Sequence, residues 1–101
     1  DRTHVLISGT ASIDNQGNIL HEGDVIQQAE RMMENISALL AEAGATIDDI
    51  TQAITYLRDP ADYTLVSHYF ATHYPRLPQL IVLAPVCRPG WLIETECWAV
   101  V

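Results

Sequence analysis

The stretch from Gly23 to Gly44 constrains this chain more than any other. Val25, Ile26, Ala29, Met32, Met33, Ile36, Leu39, Leu40 and Ala43 recur at steps of three and four, the period of a single helix face. Asp24 stands at the N-cap position with Gln27 three residues on, a capping-box pattern, and Gly44 supplies the stop. The expected helix is about 20 residues and roughly 30 Å long. A helix with one apolar stripe must lie on an apolar layer, and the rest of a 101-residue chain must provide it.

The other segments read as that layer. His4 to Ile13 alternates, with Val5, Ile7, Ala11 and Ile13 on one side and the small polar set His4, Ser8, Thr10 and Ser12 on the other. Gly9 in its middle permits close approach of a backbone or ligand. Ile50 to Arg58, rich in β-branched residues, predicts a second strand. Asp59-Pro60 then starts a second helix carrying Val66, Tyr69, Phe70 and His73, which Pro75 ends. Gln79 to Ala84 is a continuous apolar run, expected to be a strand buried on both faces. Arg88-Pro89-Gly90 marks a turn, and Trp91 to Val101 forms the last strand. The order β-α-β-α-β-β predicts one α+β domain over residues 1–101, with two helices on one face of a mixed four-stranded sheet. Nothing remains to cover the far face, which therefore calls for a second copy or a further segment.

Charge narrows the partners. Five arginines, no lysine and thirteen acids give a net charge of −8, and the arginines are scattered at 2, 31, 58, 76 and 88. No basic stripe exists to neutralise phosphates or anionic lipid, so nucleic acid is not an expected partner. No apolar run approaches the roughly 20 residues of a membrane span. Cys87 and Cys97 lack CxxC spacing and form no disulfide framework, and a reducing cytoplasm is the expected location.

Candidate chemistry is sparse. His68 and His73 are separated by about 140° around a helix, and neither HExxH nor a Cys/His cluster occurs, so no metal and no cofactor are expected. Ser8-Gly9 lacks the GxSxG frame of a nucleophile turn. In the last strand, alternation puts Leu92, Glu94, Glu96, Trp98 and Val100 on one face. Two carboxylates there form either a solvated edge or, in an apolar cleft, a general acid/base at Glu94. Arg88 reads either as a surface turn residue or as an anchor for a substrate carboxylate.

Several blocks together resemble the Rid (YjgF-like, endoribonuclease L-PSP) family. They are Ile7-Ser8-Gly9-Thr10, the long helix with Gln28 and Asn35 leading into Ala43-Gly44-Ala45-Thr46-Ile47-Asp48-Asp49-Ile50, and Ile93-Glu94-Thr95-Glu96. The resemblance implies a chorismate-mutase-like fold, assembled as a homotrimer through the sheet with ligand clefts between subunits. It also implies missing N-terminal strands, since family members begin with a Gly-Pro-Tyr-Ser-type segment. Together with the start at Asp1, this suggests a C-terminal piece of a longer protein. The family's best-known activity is hydrolysis of enamines and imines such as 2-aminoacrylate, with an arginine of a Pro-Ala-Arg-Ser motif gripping the substrate carboxylate. The corresponding stretch is Leu77-Pro78-Gln79-Leu80, so Gln79 stands in place of that arginine and offers no charged fork.

Ser8-Gly9-Thr10-Ala11-Ser12-Ile13, His21-Glu22-Gly23-Asp24 and Cys87-Arg88-Pro89 before Ile93-Glu94 further resemble the chorismatases, longer proteins of Rid-like units. By that likeness Glu94 is the acid/base and Arg88 the carboxylate anchor, while Gly9 and Thr10 form a cleft wall near Cys87, making a homotrimer or pseudo-trimer site. The implied function is hydrolysis of a small carboxylated enol-ether or imine-like metabolite. A non-catalytic ligand-binding subunit is the alternative, and RNA cleavage, which the family's older name suggests, conflicts with the charge.

Overall fold

A computed structural model describes residues 2–84 and 90–101. The first strand, β1 (His4–Thr10), leads through a turn into α1 (Val25–Glu42). A 3-10 turn at Ile47–Asp49 precedes β2 (Ile50–Leu57), and a second at Pro60–Asp62 opens α2 (Tyr63–His73), followed by β3 (Gln79–Leu83) and β4 (Ile93–Val100). The sheet order is β1-β4-β2-β3. Both neighbours of β4 run antiparallel to it, while β2 and β3 are parallel, so the sheet is mixed as expected.

The end signals of α1 act as the sequence suggests, with one change. The Asp24 carboxylate accepts from the Gln27 backbone N–H at 3.0 Å, but the Asp24 N–H goes to the His21 carbonyl at 3.1 Å, so the other half of the box is taken by backbone. At the far end Gly44 adopts φ +76, and Ala45 and Gly44 donate to the Leu40 and Ala41 carbonyls at 2.9 and 3.1 Å. This is the paired closure that a left-handed residue allows.

The α1 stripe packs on the sheet. Met32, Ile36 and Leu40 are fully buried, each contributing about 1.5–3 kcal/mol by removal from water. Leu39 departs from the expectation: at 41% exposure it lies off the stripe, because the helix rotates it towards the open flank beside β1. On α2, Val66, Tyr69 and Phe70 are buried, whereas His73 is exposed and stacks on Tyr69 with ring centroids 4.8 Å apart.

Strand β4 alternates as its sequence requires. Ile93, Thr95, Cys97 and Ala99 lie buried beneath the helices, and Glu94, Glu96, Trp98 and Val100 share the other face. Trp91 stands before the strand rather than in it, buried, with its indole N–H donating to the Ser12 carbonyl at 3.0 Å. The run from Gln79 is corrected more substantially. It is an edge strand rather than a strand covered on both faces, and Leu80 remains 60% exposed because none of the described residues covers the sheet opposite the helices. Leu6, 62% exposed, lies on the same bare face through its pairing with Trp98.

Candidate functional site

The bare sheet face positions the candidate acid. Paired residues in adjacent strands project to the same side, so the register Tyr56↔Glu94 and Ile54↔Glu96 puts both carboxylates in one row of side chains. On β3, Val82 and Leu80 continue those rows from Tyr56 and Ile54. The two acids are thus flanked by apolar side chains, and the half-buried Glu94 is not a fully solvated edge residue.

Glu94 and Gly9 depend on each other. A Cβ placed at Gly9 would collide with the Glu94 carboxylate and come within 3.1 Å of its Cδ. The close approach expected at this glycine is therefore made by a carboxylate, and it lies where the β1–β4 register shifts between Ile7 and Thr10. Thr10 turns back on its own strand, its hydroxyl donating to the Ser8 carbonyl at 2.8 Å. Gly9 and Thr10 also line a groove of about 560 Å³ between β1 and α1, with Arg31, Asn35 and Trp91.

Gln79 lies elsewhere. It pairs with Ala53 and faces the helix side, the opposite surface of the sheet from Glu94. Thr55 donates to Gln79 Oε1 at 2.8 Å and is 2.7 Å from the Thr95 hydroxyl. With its one proton given to Gln79, Thr55 must accept from Thr95. The relay leaves the Gln79 amide nitrogen as the end available for another acceptor. One chain therefore does not bring Gln79 and Glu94 to a common ligand. Cys87 and Arg88, the remaining candidates, lie outside the described residues. Arg58, the nearest arginine in sequence to β2, donates to the Trp91 carbonyl at 2.9 Å.

Two residues not singled out for the site prove important to it. Tyr56 donates its hydroxyl to Glu96 Oε1 at 2.7 Å. That hydrogen bond first, then burial and the charges of Glu96 and Glu94, hold the phenol above its ordinary value. Only the pairing register could have revealed it. Gln28 is a polar residue on a buried helix face, fully enclosed. Its amide donates to the Gly90 carbonyl at 2.9 Å and accepts from the Leu92 N–H at 2.8 Å, fixing the backbone that enters β4 two residues before Glu94.

Other chemistry recedes. Burial raises the Cys97 thiol to about 11, away from the thiolate that a nucleophile needs. Among the described residues, no group of three His, Cys, Asp or Glu side chains could hold a metal, and no helix is long and apolar enough to cross a membrane.

The profile of the family described as endoribonuclease L-PSP matches residues 2–101. The chain belongs to that family. This L-PSP family protein is 32% identical over 92 residues to the 3-aminoacrylate deaminase RutC of Acinetobacter baylyi, a match covering 89% of this chain and 73% of the relative. A RutC family protein of Pyrococcus abyssi is 30% identical over 97 residues, covering 94% and 76%. Among solved structures, the Rid protein YyfA of Yersinia pestis superposes with a TM-score of 0.85 at 24% identity, covering 97% of this chain and 80% of that one. The shared fold is that of the Rid proteins, two helices packed on a mixed four-stranded sheet.

Proposed function

We propose that this L-PSP family protein hydrolyses a small carboxylated enamine or imine in a cleft completed by a second copy of the chain. The observation that carries the reading is the half-buried Glu94 carboxylate lying over Gly9, on a sheet face that no described residue of this chain covers. The 32% identity to a protein named 3-aminoacrylate deaminase supports the enamine class.

In the proposed step, Glu94 gives its proton to the enamine carbon. The C=C electron pair forms the new C–H bond, and the nitrogen lone pair forms C=N⁺. Water adds to the iminium carbon as Glu94 takes its proton back. The carbinolamine then collapses, its hydroxyl proton moving to nitrogen, and releases ammonia and a carbonyl. General acid catalysis of this kind contributes roughly 10²–10⁴-fold.

Arg88 anchors the substrate carboxylate, with Cys87, Gly9 and Thr10 as wall. Gln79, which cannot provide the charged fork of the family arginine, contributes its amide N–H groups from the neighbouring copy. The opposite placement of Gln79 and Glu94 across one sheet supports a site shared between subunits, as in a homotrimer joined through the bare face. The chorismatase-like version of this reading replaces the enamine with a carboxylated enol ether and leaves the role of Glu94 unchanged.

The neutral Gln79, engaged with Thr55, also supports a second reading, a ligand-binding subunit without turnover. Assays of ammonia release from freshly generated 2-aminoacrylate and 3-aminoacrylate, beside thermal shifts with stable keto acids and aromatic carboxylates, separate the two. Turnover lost in both Glu94→Gln and Arg88→Ala supports the hydrolase. Stabilisation by a stable acid with no turnover on either substrate supports the binder.

A further inference from the structure

On the helix side of the sheet, three side chains from three strands are joined by hydrogen bonds. Thr55 of β2 and Thr95 of β4 are directly opposite in register, with their hydroxyl oxygens 2.7 Å apart. Gln79, at the start of β3, is opposite Ala53, and its amide oxygen reaches diagonally to accept from the Thr55 hydroxyl at 2.8 Å. Thr55 and Thr95 are 0% and 2% exposed, whereas Gln79 is half-buried and reaches the surface. A carboxamide has a donor end and an acceptor end of nearly the same shape, so its outward chemistry depends on what holds the inner end. An arginine, with donors on every nitrogen, has no such choice to make. Here the count of hydroxyl protons makes the choice. With the amide oxygen inward, Thr95 gives its proton to Thr55 and Thr55 gives its own to Gln79, so both buried hydroxyl protons are used within the trio. With the amide turned end for end, Gln79 would give to Thr55 and Thr55 to Thr95, and the buried Thr95 proton would be left over from the trio, against the preference of buried donors for a partner.

We propose that Thr55, itself set by Thr95, is a positioning residue that fixes the Gln79 amide with its N–H groups outward and makes this point of the cleft specific for an oxygen acceptor. The inference rests on the reading of Gln79 as a ligand contact and adds to it the end of the ligand that Gln79 takes. Outward N–H groups receive a carbonyl or carboxylate oxygen and exclude an ammonium or iminium N–H, whose hydrogens would face theirs. In an enamine or imine that also carries a carboxylate, Gln79 therefore takes a carboxylate oxygen and leaves the nitrogen turned away from β3. The burial of Thr55 and Thr95 keeps water from competing for the inner end, so the orientation is set before the ligand arrives.

Neutron diffraction from deuterium-exchanged crystals of the full chain reads the amide directly. The expected result is a deuteron on Thr55 Oγ1 pointing at Gln79 Oε1 and both amide deuterons facing the cleft. A Gln79 nitrogen facing Thr55 overturns the proposal. The consequence for recognition is tested with 2-oxobutyrate, a stable keto acid, by calorimetric titration of wild type, Thr55→Val and Thr55→Ser. Valine keeps the shape of threonine without its hydroxyl, and serine keeps the hydroxyl. Thr55→Val is expected to weaken binding about tenfold, the equivalent of one hydrogen bond, and Thr55→Ser to stay within twofold of wild type. Unchanged affinity in Thr55→Val, or an equal loss in both variants, overturns the role of the hydroxyl. The diffraction experiment needs no ligand, so a wild-type protein that fails to bind 2-oxobutyrate contradicts the reading of the cleft while the deuterons still decide what Thr55 does.

Discussion

Glycine at position 9 is the residue on which the site depends most directly. A methyl group there meets the Glu94 carboxylate, but the neighbour that must give way is the end of a flexible side chain. Gly9→Ala should therefore leave the melting temperature within a few degrees of wild type while lowering turnover at least tenfold, as a displaced acid predicts. Thermal melts beside ammonia-release assays check both halves. Gln28→Leu should do the reverse. It keeps apolar bulk but strands the buried Gly90 carbonyl and Leu92 N–H, at about 1–3 kcal/mol for each group left unpaired. Urea denaturation should show a loss of roughly 2–4 kcal/mol. The sequence made Gly9 legible as a point of close approach, because glycine weakens a strand interior and often marks the place where a neighbour must come near. It did not reveal what approached, since that depends on a strand more than eighty residues later in the chain.

At the scale of elements, β4 was the most readable and β3 the least. Strict alternation from Ile93 to Val100 left one possible division of faces, and the structure keeps it. The run at Gln79–Leu83 has no such alternation, and an apolar strand at a sheet edge awaiting a cover has the same local sequence as one buried at the centre. Likewise, the period of α1 identified its core face but not Leu39 as a flanking residue, because an apolar stripe wider than the contact leaves its margin to the packing. The helix-facing side of β4 gives an element-scale prediction. Burial raises the Cys97 thiol from 9.0 to about 11. A raised acid is stabilising while protonated, so its contribution is intact below pH 9 and is lost as pH rises through 11. Stability measured by urea across that range should fall more steeply in the parent than in Cys97→Ala. Equal slopes would mean that the thiol is not shielded by the helices.

For the whole molecule, the decisive feature is a sheet that the described residues cover on one side only. Leu6 and Leu80 stand 62% and 60% exposed on the uncovered face, with Ile54, Val82, Trp98 and Val100 in the same layer. A face of this character is a surface for association. Light scattering during size-exclusion chromatography should report a trimer that Leu80→Glu converts to smaller species, and a wild-type monomer at micromolar concentration would contradict the shared cleft. The need for a cover was evident from the sequence by counting elements. The division of Gln79 and Glu94 between opposite faces was not, because it follows from the registers in which β2 pairs with β3 and with β4. The central claim, that Glu94 is the proton donor of an enamine hydrolase, meets its most direct test in the initial rate of ammonia release from freshly generated 2-aminoacrylate by wild type and Glu94→Gln. The wild type is expected to accelerate the release, and the folded variant to lose at least a hundredfold of that rate. Equal rates in the two proteins would contradict it.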